Sequence, residues 1–194
     1  MKSVLLLGSI LLLSACGSMQ SQVVKKNVAF DPGSQAQIRS YGSYGSDLIR
    51  IYPETDCAKW EGTKRNAVNR RFVNGLPRKV RNVSIGIPPT ELSRKTEKDT
   101  GFVFRDSYRE MVVSANQPVV LDGAFSSQTR NQHYSCRVAA SFTPKTGEAY
   151  EVRYLSEEEG CDIEVYHIGH EEKDGVRQTK KLTANYCAKP GTSF

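Results

Sequence analysis

Long apolar runs are almost missing from this chain. The run from Val4 to Leu13, interrupted by Gly8 and Ser9, spans ten residues, eight of them apolar, too few to cross a bilayer core of about 30 Å as a helix. Histidine is scarce, with 3 residues. Two of them stand in His167-Ile168-Gly169-His170-Glu171, whereas the zinc-protease pattern needs both histidines on one helical face with the glutamate between them. The glycine and the strand-like residues before it predict exposed hairpin residues instead, and neither a metal nor a cofactor is expected. No two cysteines have the C-x-x-C spacing of a structural zinc site. A G-x-S-x-G elbow is absent, and Gly42-Ser43-Tyr44-Gly45-Ser46 lacks the lysine and hydroxyl residue of a phosphate-binding loop. A nucleophile needs a base and an orienting group close by, and no such set stands out, so no enzymatic activity is expected. Repeats, heptads and low-complexity tracts are missing too.

The amino terminus carries the most specific signal. Met1 and Lys2 give a positive start, the apolar run has the length of a signal-peptide core, and Ser14 and Ala15 are small. Residues 1–15 are therefore read as a removed leader. Leu13-Ser14-Ala15-Cys16 resembles the lipobox of bacterial lipoproteins, since an aliphatic residue, two small residues and a cysteine coincide with the end of the apolar run. The resemblance implies cleavage before Cys16, a diacylglycerol on its thiol and an acyl chain on its amine, so that several hydrocarbon chains give stable attachment. Gly17 is not the aspartate that retains similar lipoproteins at the inner membrane, which implies the outer membrane with the domain facing the periplasm. From Gly17 to Asn27 the chain is polar and lacks a helical or strand period. Residues 16–27 read as the lipidated cysteine and a tether reaching roughly 36 to 40 Å when extended. Residues 28–194 then form one domain, long enough to bury a core.

Within that domain the period is two. Tyr150, Val152 and Tyr154 alternate with Glu151 and Arg153; Cys136, Val138, Ala140 and Phe142 alternate with Arg137 and Ser141; Cys161, Ile163 and Val165 alternate with Asp162 and Glu164. This is the pattern of half-buried strands with their polar residues in water. Pro144 to Gly147 and Glu157 to Gly160 separate them, each ending in a glycine suited to a positive-φ turn position, so the three read as a meander. Further strands are expected at Asp47 to Tyr52, Lys79 to Ile87, Tyr108 to Ala115, Pro118 to Asp122 and Gln178 to Tyr186, and a short helix at Lys64 to Phe72. The fold class is all-β, an antiparallel sandwich with at most one short helix.

Four cysteines remain after Cys16: Cys57, Cys136, Cys161 and Cys187. An even number in an oxidising compartment argues for two disulfides, with three possible connectivities. In the meander Cys136 and Cys161 begin strands separated by a third, about 9.5 Å apart, beyond the roughly 7 Å limit for bridged Cα atoms. Cys161 with Cys187 and Cys57 with Cys136 are the expected pairs. Charge is uneven within a formal total of +6. Lys64, Arg65, Arg70, Arg71, Arg78, Lys79 and Arg81 crowd a stretch without an acid, while Glu157 to Asp174 holds eight acids and one lysine. The two stretches read either as solvated segments, facing each other across the fold, or as a basic surface for an anionic envelope component or acidic protein partner, with Trp60 and Phe72 nearby. Nucleic acid is not an expected partner.

The lipobox, the tether, the Ala115 to Pro118 turn and the strand series resemble small proteobacterial envelope lipoproteins, a group that lends the chain no activity. Gly147-x-x-Tyr150-x-Val152 resembles the strand entry of transthyretin-like and PEGA-type sandwich domains, over about thirty residues. The resemblance implies a noncatalytic binding or envelope-assembly module on the outer membrane. An inhibitor or immunity lipoprotein that blocks a toxin or hydrolase is the alternative.

Overall fold

The two-residue period is realised as strands over most of the chain described. In the computed structural model the described residues are 23–42, 48–63, 66–68, 72–73, 76–77, 81–99, 106–128, 130, 133–157 and 160–193; the leader and Cys16 lie outside them. The strands in chain order are β1 (Val23–Lys25), β2 (Gln35–Gly42), β3 (Leu48–Tyr52), β4 (Asn66–Val68), β5 (Phe72–Val73), β6 (Leu76–Pro77), β7 (Asn82–Ser84), β8 (Ser107–Ser114), β9 (Val119–Gln128), β10 (His133–Phe142), β11 (Ala149–Glu157), β12 (Gly160–Lys173), β13 (Val176–Leu182) and β14 (Asn185–Ser193), with α1 (Glu91–Lys98) between β7 and β8. A seven-stranded sheet runs β1-β7-β8-β2-β11-β12-β13, a five-stranded sheet runs β14-β10-β9-β3-β4, and β5 and β6 pair separately. The all-β expectation holds. The larger sheet, however, is mixed rather than antiparallel: β1 lies parallel to β7, β7 to β8 and β2 to β11.

The core lies between the two sheets. Ile38 of β2, Val152 and Tyr154 of β11 and Val165 of β12 meet Ile49 and Ile51 of β3, Leu121 of β9 and Val138 of β10, all of them buried. Each such aliphatic side chain contributes about 1.5 to 3 kcal/mol by leaving water.

The meander is broken where the chain changes layer. β11 and β12 form the expected hairpin, but β10 belongs to the five-stranded sheet, so the Pro144 to Gly147 connection carries the chain from one layer to the other. Gly147 takes φ 75° there, as its turn position requires; Gly160 has no positive φ and opens β12. The disulfide pairing follows the layers and corrects the expected one. Cys136 bonds Cys161, with Cα atoms 6.0 Å apart, and Cys57 bonds Cys187, at 4.8 Å. Cys136 and Cys161 point into the core from facing sheets, so the in-plane spacing that argued against them does not apply. Their separation is well under the ~10 Å between stacked sheets, which places the bridge where the layers converge.

Other expectations shift as well. Of Lys64 to Phe72, expected as a short helix, the described residues are strand: Asn66–Val68 form β4 and Phe72 opens β5. Gln178 to Tyr186 is two strands, because Thr183 and Ala184 hand the chain from β13 in one sheet to β14 in the other. Within residues 16–27, expected to lack strand structure, β1 already joins the larger sheet at Val23.

The polar outer face of the larger sheet is not in water. Residues 84–99 cross it as a strap, from β7 to an isolated bridge between Thr90 and Arg177 of β13 and back along α1. Thr90 caps the helix: its hydroxyl accepts from the Ser93 N–H, and Ser93 Oγ accepts from the Thr90 N–H. Beneath the strap Arg39 is 1 % exposed, donating to Glu110 at 2.9 Å, to Glu151 at 2.9 Å and to the carbonyls of Ile87 and Pro88. Glu110 Oε2 accepts the N–H groups of Ile85, Gly86 and Ile87. Glu151 accepts from the hydroxyls of Tyr41 and Thr90. Burial alone disfavours the Arg39 charge, but the Tyr41 oxygen and the two carboxylates outweigh it, and its pKa is raised. Two buried carboxylates against one guanidinium are tolerable because backbone N–H groups and hydroxyls supply the remaining donors.

Candidate functional site

Trp60 packs over Tyr52, Val120 and Ala139 on the outer face of the five-stranded sheet, whose chemistry is built around one aspartate. Asp122 sits mid-strand in β9, opposite Arg50 of β3 and next to Arg137 of β10, and is fully buried. It accepts from Arg50 Nη1 at 2.9 Å and from Arg137 Nε and Nη2 at 2.8 and 3.3 Å. Two cations converge on this one buried anion, and the second is balanced only by Glu61 at the solvent edge. Arg137 is half-exposed; Glu61 lies 3.7 Å from its Nη2 at the solvent edge. Its pKa is raised, chiefly by the hydrogen bonds to Asp122.

An aromatic floor supports the guanidinium. Arg137 lies 5.1 Å from the Trp60 ring centroid, and Trp60 stands edge-on to Tyr52 with centroids 5.2 Å apart. Trp60 is buried with Tyr52, Val120 and Ala139, and Cys187 packs against them. A turn of 3₁₀ helix at Trp60–Gly62 and the Cys57–Cys187 bridge hold this segment to β14. A hollow of about 360 Å³ opens beside the bridge, lined by Cys57, Lys59, Trp60, Glu61 and Cys187 among others. Stacking and the bidentate contact fix the orientation of Arg137, while Nη1 stays unengaged among the described residues. Such a guanidinium can receive a carboxylate or phosphate oxygen at little entropic cost.

Only one of the seven basic residues expected to form a binding surface falls within the described chain. Arg81 is exposed immediately before β7; Lys64, Arg65, Arg70, Arg71, Arg78 and Lys79 lie outside the described residues. Lys64 and Arg65 directly precede β4, which is an edge strand of the five-stranded sheet. Among the acids, Glu164 is held by Arg153 and by Lys181 at 2.7 Å; burial raises its pKa, and these partners together with Tyr166 bring it below the usual value. His167 and His170 lie within β12 rather than in a hairpin turn. His167 Nε2 is 2.6 Å from Glu148 Oε2, and the mostly exposed His170 is 3.7 Å from the same oxygen. That histidine contact holds the Glu148 carboxyl below its usual pKa. No group of three His, Cys, Asp or Glu residues among those described is arranged to hold a metal ion.

Sequence reasoning passed over Arg137 and Asp122. Arg137 reads as the polar member of an alternating strand and Asp122 as the end of the Pro118 to Asp122 strand; only the sheet order, which places β3, β9 and β10 side by side, brings Arg50, Asp122 and Arg137 together. Comparison with known protein families, with curated proteins and with solved structures yields no match.

Proposed function

We propose that this chain is a lipoprotein anchored through Cys16, probing the periplasm from the outer membrane as a noncatalytic binding or assembly module on a transthyretin- or immunoglobulin-like sandwich. The observation that carries the binding reading is Arg137: a half-exposed guanidinium, stacked on Trp60 and clamped by a buried aspartate. Arginine and tryptophan together are characteristic of interface hot spots. The favoured partner presents a carboxylate or phosphate, as acidic proteins and anionic envelope components do.

The test has two arms. Metabolic labelling with palmitate should tag the protein and be lost in Cys16→Ser; an unlabelled mature protein would remove the anchor. Capture from solubilised envelopes should retain a partner that Arg137→Ala loses, with affinity falling by about 2 kcal/mol or more. Undiminished capture by Arg137→Ala would remove the binding surface.

The inhibitor or immunity reading draws on a different feature. At the β12–β13 hairpin Glu171, Glu172 and Asp174 are exposed, an acidic tip suited to a basic cleft. A secreted toxin or hydrolase recovered in the capture, and lost on Glu172→Lys but not on Arg137→Ala, would select it.

A further inference from the structure

We propose that the corner of the sandwich at which β1 begins is the face turned toward an anionic membrane, with Lys25, Lys26 and Arg81 as its contacts. This deepens the reading above and rests on Cys16 being the anchor. The register of one short strand carries it. β1 pairs parallel to β7 with Val23 opposite Asn82, so a chain arriving from Cys16 enters the fold beside Arg81. Past β1, the Lys26 N–H donates to the Ser84 carbonyl at 2.8 Å, which keeps Lys25 and Lys26 along the same edge. All three cations are exposed.

The anchor is close. Gly17 to Gln22 alone separate Cys16 from Val23, a span that even fully extended is no more than about 25 Å. A short tether keeps this corner at high effective concentration near the headgroups. Charge at the corner is favourable. Arg109 of β8, opposite Val83, adds a fourth exposed cation. The acids nearby are Asp106, Asp99, which accepts from the Asp106 N–H, and Glu97, which accepts from the Tyr108 hydroxyl; with Lys98 at the end of α1 the corner holds five cations against three acids.

The strand directions fix the end to which this corner belongs. β7, β8, β10 and β12 begin at this end and β2 and β11 finish there, as their pairing and the Cys136–Cys161 bridge require. The β12–β13 hairpin, with Glu171, Glu172 and Asp174, projects from the other end. Glu157 and Asp162 also lie at the first end, on β11 and β12, but four and five strands away from β1, so it is the β1–β7 corner and not the whole end that an anionic leaflet attracts. Each cation near such a surface favours association by about fivefold, within a Debye length of about 10 Å at 0.1 M salt.

The test uses the full lipidated protein in vesicles of phosphatidylethanolamine, with or without phosphatidylglycerol, carrying a headgroup quencher. A fluorophore is placed through Arg130→Cys, in the β9–β10 connection at the proximal end, or through Glu172→Cys at the distal end. In anionic vesicles the proximal probe should be quenched several-fold more than the distal one. That difference should vanish without phosphatidylglycerol, on raising salt from about 50 mM to about 500 mM, or in the K25E/K26E/R81E variant. Equal quenching of both probes in a protein that floats with the vesicles, or a difference indifferent to salt and to the triple variant, overturns the proposal. A chain that does not float with vesicles at all instead removes the anchor on which it rests.

Discussion

Gly123 and Tyr154 are a matched pair across the core. A Cβ on Gly123 would lie 2.3 Å from Cδ2 of the Tyr154 ring, and that ring is held in place by its hydroxyl, which donates to the Cys136 carbonyl at 3.0 Å. Gly123→Ala should therefore destabilise the protein by about 1 to 3 kcal/mol through overpacking, whereas Tyr154→Phe should cost only about 1 kcal/mol for the lost hydrogen bond. Urea denaturation of the two variants checks the order; an alanine at 123 without effect would mean that the sheets separate there easily. Glu148 supplies a pH-dependent counterpart. Its folded pKa is depressed by the His167 contact, so the stability it contributes is present above the unfolded carboxylate value of 4.5 and disappears as pH falls through the folded value. Glu148→Gln should lower the melting temperature at neutral pH and flatten the acid limb below about pH 4.5, the two profiles converging as the wild-type carboxyl protonates. An unaltered acid limb would show that the pair carries no linkage.

The strap is the element whose role could not be read from its own residues. Thr90 after Pro88-Pro89, Glu91 in the first turn and Lys95 and Lys98 in the last are helix-end signals, yet eight residues without an apolar stripe make a weak helix in isolation. What holds it is the Arg39, Glu110 and Glu151 set beneath. Arg39→Met should cost about 3 to 5 kcal/mol, because it leaves two carboxylates buried without their cation, and hydrogen exchange should quicken at the Ile85 to Ile87 amides that Glu110 binds. A loss under about 1 kcal/mol would show that the strap is held by other contacts. The β12–β13 hairpin was legible in principle: Asp174 and Gly175 take φ 53° and 74°, the two-residue turn for which Asp-Gly is a strong signal. Counted only as part of an acidic stretch, the dipeptide went unused. The basic run at Lys64 to Arg81 was conspicuous in the sequence, and of it only Arg81 can be placed.

At the scale of the whole molecule the two disulfides do different jobs. Cys57–Cys187 fastens an edge strand to a surface segment and closes 130 residues; Cys136–Cys161 crosses between the sheets and closes 25. Cys57 is exposed while Cys136 and Cys161 are buried, so brief treatment of the native protein with dithiothreitol and an alkylating agent should modify Cys57 and Cys187 first, read by peptide mapping. Simultaneous modification of all four would mean that the layers open as readily as the edge does. The contrast between the bridges marks the limit of reading along the chain. Alternation in β10, β11 and β12, an even number of cysteines after Cys16 and the Gly147 turn are local or compositional properties, so the sequence alone determined the strand-rich body and two bridges. Which strands share a sheet depends on where the chain changes layer, a choice made by burial of both faces against distant segments. Tertiary structure therefore decided the cysteine partners, put Glu151 under a strap when its alternation pointed it at water, paired it there with Arg39, and gathered Arg50 and Arg137 from two strands around the buried Asp122 of a third.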